Sequence, residues 1–286
     1  MISYSFIIPT VGTKPSFGSA LRALCSLAVE AGRVEAIVVF DGFDRKWSEA
    51  RLKACAPGLK ITALEQPRSG PACARNLGAS LAVGDWVIFI DDDCELEPSF
   101  LDELERGFDC NPKAAFSGTA VLPANSSVWS VASQMIIEAF IESQRMRDGG
   151  LRFLPTQCLA VPRSTWEETH GFNEAFTLAA GEDREFCLRW INSGLSLVRL
   201  PRALYVHNHP LNAAEFLAKH AEYGRASRRV GSRRDRAPLR FVRSLSLLLL
   251  KVRPFGRIVP VATALFLSQI ANAWGAFQKQ SARKAA

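Results

Sequence analysis

Across residues 4–90, short β-rich apolar runs alternate with helix-patterned segments, and this alternation is the strongest constraint on the fold. The runs cover residues 4–9, 35–40, 60–64 and 86–90. Between them, residues 16–31 read as a helix with Ser16 as its N-cap, and residues 71–83 read as another. Strands buried on both faces are continuously apolar, and parallel neighbours need a crossover segment between them. The prediction is therefore an α/β chain with a mostly parallel, Rossmann-like central sheet flanked by helices. Beyond Pro98 the pattern changes to a helix over 99–109, a strand over 115–122 and a long helix over 128–146.

Ligands of open parallel sheets sit at the carboxyl ends of the strands. Those ends are polar here: Thr10 follows the first run, Asp41 the second and Asp91-Asp92-Asp93 the fourth. Three adjacent carboxylates repel one another unless a cation or a set of donors neutralises them. A hard divalent ion, Mg²⁺ or Mn²⁺, is the simplest neutraliser. It would use one or two of the carboxylates and complete its shell with water and phosphate oxygens. A solvated acidic turn ahead of the next helix is the plainer alternative.

Five pieces in order sharpen this reading. They are Ile8-Pro9-Thr10, Asp41, the segment from Gly70 to Gly78 that contains Ala74-Arg75-Asn76, Gly84-Asp85, and the Asp triplet as a D-x-D element. The order resembles the family 2 glycosyltransferases, which have the GT-A fold. Gly171-Phe172-Asn173, Gly181-Glu182-Asp183, Tyr205-Val206-His207-Asn208-His209 and Tyr223-Gly224-Arg225 extend the resemblance to about residue 224. It implies transfer of a sugar from a nucleotide diphosphate sugar to an acceptor hydroxyl. Asp93 and His207 become the implied metal ligands, with His209 as the fallback and one of the two histidines facing elsewhere. Thr10, Asp41, Arg68, Arg75, Asn76, Asp91 and Asp92 are implied in binding the nucleotide sugar. Asp41 would meet the base, usually a pyrimidine, so a UDP-sugar is favoured; Arg75 is equally read as a partner of the Asp cluster.

Asp183 is the implied general base of an inverting attack, ionised by its helix N-terminus, with Glu182 orienting the acceptor. Acidic residues in a first helical turn also have a purely structural use, complementing the macrodipole. Gln157 and Trp166 lie where acceptor contacts are expected. Phe43 departs from the Ser or acidic group of many relatives, and the triplet leaves two D-x-D frames open, both including Asp93.

Charge divides the chain. Residues 1–218 carry 20 Lys and Arg against 26 Asp and Glu, a net of −6, whereas residues 219–286 carry 15 against 2, a net of +13. The expected domains are accordingly a catalytic 1–224 and a basic helical extension over 225–286. Arg225, Arg228, Arg229, Arg233, Arg234 and Arg236 form a dense cationic run. Over 236–252, helical spacing puts Phe241, Leu245, Leu248 and Val252 on one face and Arg236, Arg240 and Arg243 on another, as in helices that lie in a membrane interface.

Residues 258–277 carry no formal charge and are long enough to span a bilayer. Pro260, Gln269, Asn272 and Gly275, with basic flanks at Arg253, Arg257, Lys279, Arg283 and Lys284, favour a surface-lying or re-entrant helix instead. An anionic membrane surface and a glycan or lipid-linked acceptor are the expected partners, in surface polysaccharide or glycolipid assembly. Nucleic acid is not expected, because the tail lacks interleaved aromatics and a reading motif.

The seven cysteines are odd in number and form no C-x-x-C pair, which points to free thiols, buried as small hydrophobes, in a reducing compartment. The first residues lack the basic region of a secretory signal. The expected location is the cytoplasm, at the inner face of the cell membrane. A retaining transferase, a nucleotidyltransferase of related fold and a non-catalytic nucleotide-sugar-binding membrane adaptor remain as alternatives.

Overall fold

The structure, a computed structural model, describes residues 3–27, 33–42, 47–178, 180–227, 238–250 and 252–278. The chain forms two compact units, Met1–Ala124 with Arg145–His209, and Asn125–Gln144 with Pro210–Ala286. The first unit opens with β1 (Tyr4–Thr10), α1 (Phe17–Leu27), β2 (Val34–Asp41), α2 (Glu49–Cys55) and β3 (Lys60–Gln66). It continues with α3 (Pro71–Ser80), β4 (Trp86–Ile90), β5 (Cys94–Leu96), α4 (Phe100–Cys110) and β6 (Ala115–Val121). After α5 (Val128–Ser143) of the second unit, the first is completed by β7 (Cys158–Pro162), α6 (Arg163–Glu168), α7 (Glu182–Asn192) and β8 (Leu197–His207). The second unit ends with α8 (Ala213–Ser227), α9 (Pro238–Leu249) and α10 (Ile258–Phe277). The boundary expected after residue 224 lies inside α8.

One sheet of eight strands, in the order β3-β2-β1-β4-β7-β6-β8-β5, forms the frame of the first unit. β1, β2, β3 and β4 are mutually parallel, as the alternation predicts, and β2 and β4 are buried along their whole length. The β6–β8 pairing is also parallel, while β4–β7, β7–β6 and β5–β8 are antiparallel, so the sheet is mixed beyond β4. Phe6, Phe17, Leu21, Val38, Phe40 and Ile88 belong to the apolar core on the sheet. The helix expected over 71–83 stops at Ser80, and the one expected over 128–146 stops at Ser143, with Ser127 accepting from the Ser130 N–H as its N-cap.

Two glycines of the Gly70–Gly78 segment have packing reasons. Gly70 holds φ 95° ahead of α3, and a Cβ there would meet the Thr177 carbonyl oxygen at 2.4 Å. A Cβ on Gly78 would lie 2.4 Å from Ile7 Cγ2, so only glycine lets α3 sit this close to β1.

In the second unit, Ala132 and Met135 of α5, Phe216 of α8 and Val261, Ala264 and Leu265 of α10 form a separate core. α8 and α10 touch backbone to backbone: a Cβ on Gly224 would lie 1.9 Å from the Asn272 carbonyl oxygen, and one on Gly275 1.9 Å from that of Ala221. Gly224 of the Tyr-Gly-Arg motif is thus a packing glycine. The opposite face of α10 exposes Val259, Phe266, Ile270, Trp274 and Phe277.

α9 differs from its expectation. Leu245 and Leu248, assigned to a lipid-facing side, pack with Val252 against the second core, and the exposed apolar residues are Val242, Leu247 and Leu250. Periodicity locates an apolar face but not what covers it. Phe43, helix residues 28–31, Arg228, Arg229, Arg233, Arg234, Arg236, Lys279, Arg283 and Lys284 lie outside the described residues. Of the cysteines, which are all free, Cys94, Cys158 and Cys187 are buried and Cys110 is exposed.

Candidate active site

Strand pairing brings the chemistry-bearing residues of the first unit together. β1 lies parallel to β4, and the Thr10 hydroxyl at the end of β1 donates to Asp92 Oδ2 at 2.6 Å. β5 begins directly after the Asp triplet and runs antiparallel to β8, in a register that sets Cys94 opposite His207. That register places the triplet beside a histidine far away in sequence.

Each carboxylate of the triplet has a cationic partner. Asp91 accepts from Arg75 Nη2 at 2.9 Å. Asp92 Oδ1 lies 2.8 Å from Lys14 Nζ, and Asp93 Oδ2 lies 2.7 Å from the same ammonium. Asp93 Oδ2 also meets His209 Nδ1 at 2.8 Å, while its Oδ1 faces His207 Nε2 at 3.6 Å. Burial pushes Asp92 upward in pKa, and the charge of Asp93 adds to this against the pull of Lys14. Burial acts the same way on Asp93, but the His209 hydrogen bond and the charges of Lys14, His207 and His209 outweigh it and hold the carboxyl well below the usual range. Lys14 feels the converse: burial lowers its pKa, but Asp93, Asp92 and Asp91 together raise it further.

The expectation that one of the two histidines faces elsewhere does not hold. Residues two apart on an extended segment share a face, and the two rings stack with centroids 5.3 Å apart, both against Asp93. Asp93, Cys94 and His207 offer three possible ligand atoms within 4.8 Å of one another. Two neighbouring ligands of an octahedral ion with bonds of about 2.1 Å stand about 3 Å apart, close to the Asp93 Oδ1–His207 Nε2 separation. A carboxylate with imidazole suits Mn²⁺ better than Mg²⁺, and the buried Cys94 thiol is too soft a donor for either. Asp93 and His207 therefore fit a divalent ion. The Gln157 amide nitrogen lies 3.2 Å from His207 Nδ1, and Gln157 Oε1 accepts from the Tyr205 hydroxyl at 3.3 Å.

A second cluster adjoins the triplet through Arg75. Its guanidinium, buried on α3, donates to Asp91 and, through Nη1, to Glu182 Oε1 at 3.1 Å. Burial first, then the charge of Asp183, pushes Glu182 up to about 7 against Arg75. Burial also raises Asp183, so the α7 N-terminus alone does not set its charge state; its Oδ1 accepts from the Arg184 N–H at 2.7 Å. Asp183 retains more solvent access than Glu182.

The remaining nucleotide-site expectations land as follows. Asp41 at the end of β2 accepts from Gln66 Nε2, the Ser69 N–H and the Gly70 N–H at 2.8, 2.7 and 3.0 Å, which fixes the loop into α3. Arg68 on that loop is exposed. Asn76 commits its amide to protein: it donates to Phe172 O and Glu174 Oε1 and accepts from the Phe172 N–H, each at 2.9 Å. In the structure it ties the 171–174 loop to α3. Trp166, expected near an acceptor, is buried among Phe89, Phe172 and Phe186.

The family model described as "Glycosyl transferase family 2" matches residues 5–168, more than half of the chain. The chain belongs to glycosyltransferase family 2. A second family model, "N-terminal domain of galactosyltransferase", matches residues 154–210, which carry Gln157, Glu182, Asp183, His207 and His209 of this family 2 glycosyltransferase. The "Pre-mycofactocin glycosyltransferase" of two Mycobacterium tuberculosis strains is 28% identical over 170 residues, covering 57% of this chain. The chain spans about a third, 36%, of the length of those relatives.

Among solved structures, the mannosyltransferase PcManGT from Pyrobaculum calidifontis in complex with GDP-Man and Mn²⁺ aligns with a TM-score of 0.60 at 16% identity, over 94% of this chain and 74% of that one. S. aureus TarS 1-349 in complex with UDP aligns with a TM-score of 0.56 at 15% identity, over 96% of this chain and 89% of that one. At such identities the likeness is one of fold, and the fold is GT-A.

Two residues of this glycosyltransferase site carry little signal in the sequence. Lys14 lies on the loop after β1, four positions past Thr10, where a scan of strand ends for basic as well as acidic groups would find it. Gln157 has no local signal for its contact with His207, because that contact depends on how β7 and β8 are placed in the sheet.

Proposed function

We propose that the protein transfers a sugar from a nucleotide diphosphate sugar, a UDP-sugar by preference, to an acceptor hydroxyl with inversion at the anomeric carbon and with Mn²⁺ or Mg²⁺ as cofactor. The observation that carries this reading is the convergence of Asp93 and His207 with a carboxylate pair on α7, linked by Arg75. A bound divalent ion would supply Lewis-acid stabilisation of the departing diphosphate. Asp93 and His207 would hold it, and the Gln157 amide, turned so that its oxygen accepts from the His207 Nδ1–H, would orient the ring and leave Nε2 for the ion. Thr10 and Lys14 set the position of Asp92. Asp41 fixes the 66–70 loop at the edge of the base pocket.

Asp183 takes the acceptor proton, and its burial-raised pKa makes it a stronger base than a solvated aspartate. Glu182, Arg75 and Asp91 form a chain of ion pairs that ties α7 to the triplet. The donors named in the GT-A neighbours, GDP-Man with Mn²⁺ in one and UDP in another, support this class of substrate. The exposed apolar face of α10 and the surplus of basic residues after residue 218 favour an acceptor carried on a lipid at the cytoplasmic face of a membrane, in surface polysaccharide or glycolipid assembly.

A thermal-shift series with UDP- and GDP-sugars, with and without Mn²⁺, tests the donor and metal together. Stabilisation by one nucleotide sugar that depends on Mn²⁺ is the expected result, and no shift with any donor would refute it. Asp183→Asn is expected to abolish transfer while leaving donor binding within about twofold; unchanged turnover would remove Asp183 as the base.

A further inference from the structure

The oxygen atoms of Asp92 and Asp93 are mostly taken. Asp92 accepts from Thr10 on Oδ2 and meets Lys14 on Oδ1; Asp93 Oδ2 is shared between Lys14 and His209. Asp93 Oδ1 and His207 Nε2 face each other beyond hydrogen-bonding distance, at 3.6 Å. An ion that needs more of these carboxylates must therefore compete with the Lys14 ammonium. Lys14 is able to yield, since 35% of its side chain is solvent-exposed, its stem is flexible, and it sits on a loop between Gly12 and Pro15. The ammonium has a second natural partner in this setting, because a nucleotide diphosphate brings phosphate oxygens to the same strand ends.

We propose that Lys14 is a resident cation of the triplet that competes with the divalent ion in the free protein and passes to the donor diphosphate on binding, so that nucleotide and metal bind cooperatively. The proposal rests on the metal-dependent reading above. Removing the Lys14 charge should tighten metal binding to the free protein and weaken nucleotide binding without metal. By linkage, nucleotide and metal should each raise the affinity for the other by the same factor in the native protein, and this coupling should shrink without Lys14.

The test uses the full chain and two binding readouts independent of turnover: Mn²⁺ binding followed by electron paramagnetic resonance, and UDP binding followed by calorimetry, each with and without the other ligand. Lys14→Met is expected to bind Mn²⁺ at least about tenfold tighter than the native protein in the absence of UDP, since a like charge on the shared carboxylates is gone. It is also expected to bind UDP more weakly in EDTA and to lose most of the coupling. Lys14→Arg keeps the charge and should behave as the native protein, which separates charge from folding defects. Unchanged or weaker Mn²⁺ binding by Lys14→Met, with normal UDP-dependent Mn²⁺ binding in the native protein, overturns the role of Lys14 alone. Absence of Mn²⁺ binding in both proteins, even with UDP, overturns it together with the metal-dependent reading.

Discussion

Replacing Arg75 by methionine tests whether α7 is tied to the Asp triplet by charge. The Arg75 and Glu182 side chains are 4% and 5% exposed and meet at 3.1 Å, whereas Asp91, the other partner, is 28% exposed and can be rehydrated. Arg75→Met therefore leaves one carboxyl buried without its partner, a change that costs up to about 3–5 kcal/mol while the group stays ionised and less once it takes up a proton. The double variant Arg75→Met, Glu182→Leu removes both charges and should recover most of that loss, since an apolar pair of similar volume is often no worse than a buried ion pair.

The cost must also depend on pH. Glu182 is already raised to about 7 by burial and by Asp183. A carboxyl with a raised folded pKa contributes stability that is fully present below its unfolded value and is lost as pH rises through the folded value. Without Arg75 the folded value climbs further, so the deficit is small at pH 5, where Glu182 holds a proton with or without Arg75, and grows by about 1.4 kcal/mol per pH unit above the native value, to about 1.4 kcal/mol at pH 8. Urea unfolding by tryptophan fluorescence reads this directly, because Trp166 and Trp190 both pack on Phe186 of α7. A loss below about 1 kcal/mol at pH 8, or an equal loss at both pH values, would show that Arg75 acts instead through packing, such as its place over the Phe172 ring at 5.6 Å.

Two further outcomes concern the second unit. His220 is buried between Phe216 and Tyr223 with no hydrogen-bond partner on Nε2, and burial, then Lys219, lowers its pKa from 6.5 to about 4. The unfolded chain takes up this proton below pH 6.5 and the folded chain only near 4, so stability falls by about 3 kcal/mol as pH drops through that window. His220→Phe should flatten that part of the pH–stability curve in thermal melts, and a variant with an unchanged slope would clear His220 of the effect. Gly224→Ala should cost at least about 2 kcal/mol, because its Cβ would fall on the α10 backbone and overpacking cannot relax against a carbonyl. A melting temperature equal to the native one would mean that the two helices do not cross this closely.

Much of the site is legible in one dimension because its cues are local. Hydrophobic runs, chain direction and the polar residue at the end of each run depend on neighbours in sequence, so the order of residues alone puts Thr10, Asp41 and Asp91 to Asp93 at strand ends. The Gly70–Gly78 segment is equally visible, although what its glycines touch is not.

Tertiary structure decides the partners. The β5–β8 register brings His207 to Asp93, and His209 joins it just past the end of β8. The β1–β4 pairing brings Thr10 to Asp92, and the following loop places Lys14 between Asp92 and Asp93. Asn76 meets Phe172 only because the 171–174 segment folds back onto α3. The same limit explains α9, whose sequence specifies an apolar face while α5 and Val252 decide what covers it. Periodicity is a property of the chain; a partner is a property of distance in space, which the sheet order and its registers supply.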